Sequence, residues 1–294
     1  METFKAAVVI ARQNLEEWRK NDRILVLLIL TALLICIYIG KLPIYAIKHN
    51  EKNTLFLMPL LFTDGINANG LLKILLFFGT ILLFCNAPFL DEHKYFLILR
   101  SRRTGWWLGE ALYVIVGSLF YTLEIFLLSA VLALPVASIG QGWGESIMKA
   151  LNGNRDLYWQ MFSGISLSSK LILRVTPETA MVYTFFTVWL VMVLLGLLIY
   201  CINLYSEKSW PGVAVAVFLV VLDPVLQYTQ TAYNTWNLML SPVSWSSVEN
   251  LQKYSGSGML SVPYIVLAGL GLMTLLILLI ARKSRRMDIL LTQL

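Results

Sequence analysis

Residues 24–40 read ILVLLILTALLICIYIG, an apolar run without a single charged side chain. At 1.5 Å per residue a helix of this length measures about 25 Å, and its number of residues is at the short end of the range found for spanning helices. Because hydrocarbon offers no water to the backbone, a spanning segment must be a helix or part of a closed barrel. The run does not alternate apolar and polar residues, so it predicts a membrane-spanning α-helix.

Five more apolar segments extend this pattern along the chain. The chain has 294 residues, of which 58% are hydrophobic and only 14% charged, whereas charged residues make up about a quarter of a soluble domain. The sequence therefore predicts an all-α polytopic membrane protein, with residues 1–294 forming one transmembrane domain. The six predicted spans are about 24–40, 71–90, 106–134, 180–205, 211–227 and 263–281. Lys73, at one end of the second span, is expected to extend towards the membrane surface.

The N-terminal segment, residues 2–21, has the spacing of an amphipathic helix. Its apolar positions recur three and four residues apart, which places them on one helical face beside a charged face. Such a helix suits the membrane interface, and packing on a soluble partner is the alternative. The predicted apolar stripe consists of Phe4, Val8, Ala11, Leu15 and Trp18.

The distribution of Lys and Arg gives an orientation. With the N-terminus in the cytoplasm, 14 of the 23 basic residues fall in inner segments and 8 in outer loops, although the outer loops are about twice as long. This asymmetry follows the positive-inside rule. We therefore expect both termini in the cytoplasm and residues 41–70, 135–179 and 228–262 outside. The net charge of +6 then reflects topology, and no nucleic-acid partner is expected.

Three acids lie within the apolar spans: Glu110, Glu124 and Asp223. A charge at membrane depth is costly, so each is a candidate for a function in transport. Each also has a simpler explanation. Glu110 is close enough to the cytoplasmic end to reach water, Glu124 is protonated, paired or facing a polar cavity, and Asp223 caps a helix segment broken at Pro224.

Signatures of catalysis and of metal binding are missing from the sequence. There is no His-Glu-x-x-His pattern, and the two histidines are far apart. The glycines at 140, 142 and 144 lack the Lys-Ser/Thr that completes a phosphate loop, so a flexible loop is expected there. The three cysteines fall inside apolar runs and predict no disulfide framework.

A short charged segment between the second and third spans reads DEHKYFLILRSRR over residues 91–103. Five apolar residues in a cytoplasmic connection must be buried against lipid, against this chain or against a partner protein. Phe96 and Leu99 share a helical face, and the charged residues around them would fix such a helix in register. The candidate docking residues are Asp91, Glu92, His93, Tyr95, Phe96, Leu99, Arg100, Arg102 and Arg103.

This segment continues into Thr104-Gly105-Trp106-Trp107, and residues 88–124 together resemble the membrane subunit of an ABC-2-type ATP-binding-cassette transporter. The match is to the small six-span permeases of Gram-positive bacteria. The resemblance implies a plasma-membrane location, a second permease copy or paralogue, and separate ATPase subunits that carry the ATP and Mg. Residues 2–21 would be a connecting helix, 89–103 the coupling helix, and 228–262 would hold re-entrant helices. The long 135–179 loop departs from the family pattern.

The expected function is therefore that of a permease subunit that exports a peptide, a lipid or a hydrophobic compound and has no enzymatic activity of its own. An ion-coupled carrier built on the three intramembrane acids is the main alternative. An intramembrane enzyme and a membrane scaffold or immunity protein are two further alternatives. The sequence leaves the substrate, the direction of transport and the choice between homodimer and heterodimer open.

Overall fold

The computed structural model describes residues 2–63, 71–89, 94–138, 140, 142–153, 155–162, 167–228, 236–251 and 260–286. The described chain is helical throughout and contains only isolated β-bridges in place of strands. The all-α fold predicted from the sequence is confirmed.

Thirteen α-helices lie in the described residues, joined in places by short 3₁₀ helices. They are α1 Glu2–Glu16, α2 Asp22–Ile39, α3 Lys41–His49, α4 Met58–Leu61, α5 Leu71–Phe84, α6 Lys94–Ala133, α7 Glu145–Asn152, α8 Arg155–Met161, α9 Ser169–Arg174, α10 Pro177–Ser206, α11 Pro211–Tyr228, α12 Trp236–Leu240 and α13 Val262–Arg286.

Four of these helices, α2, α6, α10 and α13, are long and apolar enough to cross a membrane. They coincide with four of the six predicted spans. The other two predicted spans contain α5 and α11, which are apolar but shorter. Local signals explain several of the helix starts. The Asn21 side chain caps α2 by accepting a hydrogen bond from the Arg23 N–H, and α10 begins with Pro177 after a capping Thr176.

Helix α10 lies at the centre of the bundle. Two thirds (67%) of its most apolar stretch is buried, against 17% for α13. Helix α10 packs against α5, α6, α11 and α13. Helices α2 and α13 instead expose large apolar side chains such as Ile29 and Leu267, which fits contact with lipid.

Helix α1 packs along α6 and buries a face that coincides only in part with the predicted stripe. Of that stripe, Ala11 is buried and Leu15 and Trp18 pack against the core, whereas Phe4 and Val8 are exposed. Ala7 and Ile10 are buried as well, because α1 comes close to Gly109 of α6, where a Cβ atom would lie 2.7 Å from the Ile10 Cβ. The predicted N-terminal helix is confirmed, and its predicted stripe faces the protein from Ala11 onward.

The described parts of residues 41–63 and 135–179 pack against each other. Asn53 forms isolated bridges with both Ala137 and Gly144, and the Trp143 indole donates to the Val175 carbonyl over 2.8 Å. Gly144 has a φ of +95°, and a Cβ there would meet the Asn53 Cα at 2.4 Å. The expected flexible glycine loop is therefore wrong at Gly144, where the lack of a side chain permits tight packing.

Candidate functional site

The segment expected to dock on a partner is the start of α6. This helix runs for 40 residues, about 60 Å, without a break. Residues from Lys94 onward are therefore continuous with the long apolar part of α6. Asp91, Glu92 and His93 lie outside the described residues, as do the side chains of Tyr95, Phe96, Leu99, Arg100 and Arg102.

Arg103, the remaining candidate of this segment, connects α6 to α13. Its guanidinium donates to the Arg285 carbonyl over 3.1 Å. Nearby, Lys283 of α13 forms an ion pair of 2.9 Å with Glu207, which ends α10. A cation at a helix C-terminus donates a hydrogen bond to a carbonyl that has no partner within the helix, and it interacts favourably with the negative end of the helix dipole. Arg103 of α6 is thus bonded to the end of α13, and the end of α13 is in turn paired with the end of α10.

Glu110 is fully buried between α1 and α6 and does not reach water at the helix end. The Asn14 amide Nδ2 donates to Glu110 Oε2 over 2.9 Å. Three residues further along α6, the Tyr113 hydroxyl accepts a hydrogen bond of 2.9 Å from the Trp18 indole. These two bonds attach the N-terminal helical segment to α6, so Glu110 has a structural contact that the sequence did not reveal.

Glu124 lies in the middle of α6 and is half-buried. Its Oε2 atom is shielded and has no hydrogen-bond partner among the described residues. One turn earlier, the buried Tyr121 hydroxyl contacts Thr31 of α2 at 3.0 Å and donates to the Leu76 carbonyl of α5. Glu124 therefore lies one turn from the junction of α2, α5 and α6 at Tyr121.

Asp223 is the centre of a buried polar network. Lys73 Nζ lies 2.8 Å from Asp223 Oδ2, and each side chain is only 2% exposed. Gln227 also donates to Oδ2 over 2.8 Å, while the hydroxyls of Ser241 and Ser244 donate to Oδ1 over 2.6 and 2.5 Å. All the oxygens of this carboxylate are satisfied, as a buried charge requires.

Lys73 corrects a prediction made from the sequence. It does not extend to the membrane surface, because its ammonium is enclosed by Asp223 and by the Ser247 hydroxyl at 3.3 Å. Ser247 in turn donates to the Phe62 carbonyl over 2.6 Å. The network thereby joins α5, α11 and the 3₁₀ turns after α12. One indication of this pair is present in the sequence, which is that a basic and an acidic residue lie in two different apolar runs, where an unpaired charge would be costly.

A second charged cluster joins residues 51–53 to α7, and it was not predicted from the sequence. Glu51 accepts hydrogen bonds from Lys149 over 2.5 Å and from Ser146 over 2.7 Å, and Asn53 bonds to Ser146 over 3.0 Å. Burial raises the pKa of Glu51, but the bonds from Lys149 and Ser146 outweigh it and leave the pKa below its ordinary value. The bond to Glu51 raises the pKa of Lys149. Both groups are therefore charged at neutral pH.

In the described part of the chain, no three His, Cys, Asp or Glu side chains lie close enough together to hold a metal ion. Comparison with protein-family models, with curated proteins and with solved structures finds no match. By its fold and composition, the described chain is an all-helical protein with four helices that are long and apolar enough to cross a membrane.

Proposed function

We propose that this chain is the six-span permease subunit of an ATP-binding-cassette transporter in the plasma membrane. The observation that carries the proposal is the N-terminal extension of α6. This helix continues for about two turns beyond its most apolar part, through the basic residues up to Arg103, and α1 and α13 brace it. A rigid helix of this kind transmits displacement between a partner and the bundle.

The six-span topology includes α5 and α11 as the second and fifth spans. They measure about 21 and 27 Å, less than the ~30 Å hydrocarbon core. The buried Lys73–Asp223 pair supports placing them side by side with opposite directions, because it joins the start of α5 to the end of α11. The short helices between Trp236 and Asn250 pack beside them, as re-entrant segments would. Six spans would put both termini on the same side, and the excess of Lys and Arg in the inner segments supports the cytoplasm as that side.

The intramembrane acids argue against the carrier alternative. A coupling carboxylate must exchange protons or ions during transport, whereas Asp223 has a full set of internal donors and Glu110 is bonded to Asn14. An ion-coupled carrier remains the second candidate function because Glu124 Oε2 has no hydrogen-bond partner among the described residues. Under the permease proposal, Glu124→Gln changes substrate handling but leaves ATPase coupling intact, while under the carrier alternative it abolishes ion-driven transport.

The proposed role as a permease subunit implies two kinds of partner. Two ATPase subunits bind ATP and Mg, and a second copy or paralogue of the chain completes the pathway. The ATPases would bias the permeases between alternating arrangements. The exported compound is a peptide, a lipid or another hydrophobic molecule, since the bundle interior is predominantly apolar.

Co-purification of an ATPase subunit tests the proposal. Phe96→Ala with Leu99→Ala removes two apolar side chains from one helical face, and each anchor of a docked helix contributes about 2 kcal/mol or more. We expect the double variant to lose most of the co-purified, substrate-stimulated ATPase activity at unchanged permease yield. The matched control, Leu97→Ala with Ile98→Ala, truncates the same number of side chains on other faces. Equal ATPase recovery from all three proteins contradicts the proposal.

Thiol labelling on intact cells tests the topology separately. The native Cys36, Cys85 and Cys201 are first replaced. Single cysteines then go to the exposed positions Asn152, in the outer segment, and Lys20, in the inner one. An impermeant maleimide is expected to label Asn152→Cys and to spare Lys20→Cys until the cells are lysed. The reverse pattern inverts the orientation.

A further inference from the structure

A polar cavity of about 270 Å³ lies where the N-terminal segment meets α2, α5 and α6. Its lining includes Asn14, Trp18, Arg23, Asn86 and Tyr113. A single water molecule occupies about 30 Å³ of liquid, so the cavity is large enough for a molecule of several heavy atoms. Its lining does not include the docking segment or the three intramembrane acids, although Asn14 also contacts Glu110.

Asn14 provides an unused hydrogen-bond acceptor at this cavity. The side chain belongs to a residue that is only 4% exposed, and its Nδ2 donates to Glu110. Because a carboxylate accepts hydrogen bonds, this contact fixes the amide with its oxygen on the other side. Asn14 Oδ1 is buried and has no partner within the described chain. A buried carbonyl oxygen in this position favours a ligand that donates.

Arg23 provides an unused donor at the same cavity. Its Nη1 donates to Cys85 over 2.8 Å and to Asn86 over 3.2 Å. The Nε atom is buried and finds no acceptor in the part of the chain that the structure describes. Arg23 is also in the first turn of α2, where the positive end of the helix dipole adds to the guanidinium charge. This corner of the cavity favours an anionic oxygen, for which phosphate is well suited.

Aromatic side chains and a carboxylate surround the remaining part of the cavity. Trp18 and Tyr113 pack edge to face with ring centroids 6.5 Å apart, and Phe89 packs against Tyr113 at 5.0 Å. Glu17 lines the same space. Aromatic rings and a carboxylate attract an ammonium group. A cavity with one anion-binding corner and one cation-binding wall matches a ligand that carries both charges.

We propose that this cavity binds the phosphoethanolamine headgroup of a membrane phospholipid, with the phosphate at Arg23 and the ammonium at Asn14 and the aromatic side chains. A lipid is favoured over a soluble molecule because the cavity adjoins the first turn of α2. From there, exposed apolar residues such as Val26 and Ile29 follow the helix into the membrane, where acyl chains would lie. The site fastens α1 to α2 and α6 through a lipid. It does not depend on the proposed transport function.

Native mass spectrometry of the purified full-length protein tests the site. The protein is titrated with short-chain phosphatidylethanolamine, with phosphatidylglycerol and with free phosphoethanolamine. We expect the ethanolamine lipid to bind at least about tenfold more tightly than the glycerol lipid, because a bond to a charged group is lost with the ammonium. Equal affinity for the two lipids overturns the zwitterionic assignment. Free phosphoethanolamine that binds as tightly as the lipid overturns the lipid assignment.

Variants locate the binding to this cavity. Arg23→Gln is expected to weaken binding of the ethanolamine lipid about tenfold or more, through loss of a charged bond to the phosphate. Arg19→Gln is the matched control, since Arg19 is exposed and carries the same charge on the same segment. If Arg23→Gln lowers the Tm, Arg23→Lys is tested in its place, because a lysine keeps the positive charge but lacks the guanidinium Nε donor. Equal binding by the Arg19 and Arg23 variants refutes the site.

Discussion

Two lysine–carboxylate pairs in this molecule use the same chemistry in different surroundings. Lys73 and Asp223 join two apolar helices, and both side chains are only 2% exposed. Lys149 of α7 pairs with Glu51, which follows α3, and the lysine side chain is 54% exposed while the glutamate is 5% exposed. In both pairs, serine hydroxyls donate to the carboxylate.

The difference between the pairs lies in what remains when one partner is removed. A lone charge at the Lys73–Asp223 site would have no access to water, and the free-energy cost of burying an unpaired ion is large. At the Glu51 site, the ammonium of Lys149 reaches solvent already. Removal of one partner is therefore expected to be costly at the Lys73–Asp223 pair and to cause only a modest loss at the Glu51–Lys149 pair.

The largest effect is expected from Lys73→Met. The substitution leaves the Asp223 carboxylate buried without its counter-charge, which should cost about 3–5 kcal/mol of folding stability. The apparent Tm of the purified protein in detergent measures this loss. The double variant Lys73→Met with Asp223→Leu removes both charges and is expected to recover much of the stability. A double variant no more stable than the single one would contradict the role assigned to the pair.

A smaller effect is expected from Gly144→Ala, which disturbs the backbone that positions the Glu51 cluster. At a φ of +95° and a ψ of 164°, a non-glycine residue is strained by about 1–3 kcal/mol, and the new Cβ would also collide with Asn53. Thermal unfolding should show a clear loss. Gly142→Ala is the control, because Gly142 also has a positive φ but has no neighbour within 4 Å of a new Cβ. Equal losses would show that the contact with Asn53 is unimportant.

The smallest effect is expected from Glu51→Gln, and it should depend on pH. Because folding lowers the pKa of Glu51, its charge contributes stability at neutral pH that is lost as the pH falls below the ordinary value of 4.5. The variant should be about 1 kcal/mol less stable than wild type at pH 7. The difference should shrink towards pH 4. A constant difference across this range would show that the carboxylate charge is not responsible.

The sequence predicted the helices well where the signal was local. The apolar runs at 24–40, 106–134, 180–205 and 263–281 correspond to α2, α6, α10 and α13. The amphipathic helix at the N-terminus was also predicted, because three- and four-residue spacing is a property of the segment itself. The buried face of α1 was predicted only in part: Ala11 lies in the predicted stripe, but Ala7 and Ile10 are buried because of Gly109, a glycine of a helix almost a hundred residues away.

Composition and hydropathy alone determined that this chain forms apolar helices suited to a membrane, since long uncharged runs have no stable alternative there. Only the tertiary structure decided the partners of the polar groups. Lys73 meets Asp223, Glu110 meets Asn14 and Glu51 meets Lys149 across roughly 100 to 150 residues of chain. Such pairs are set by how helices pack, because a buried charge must find its partner in space and sequence spacing does not encode that position.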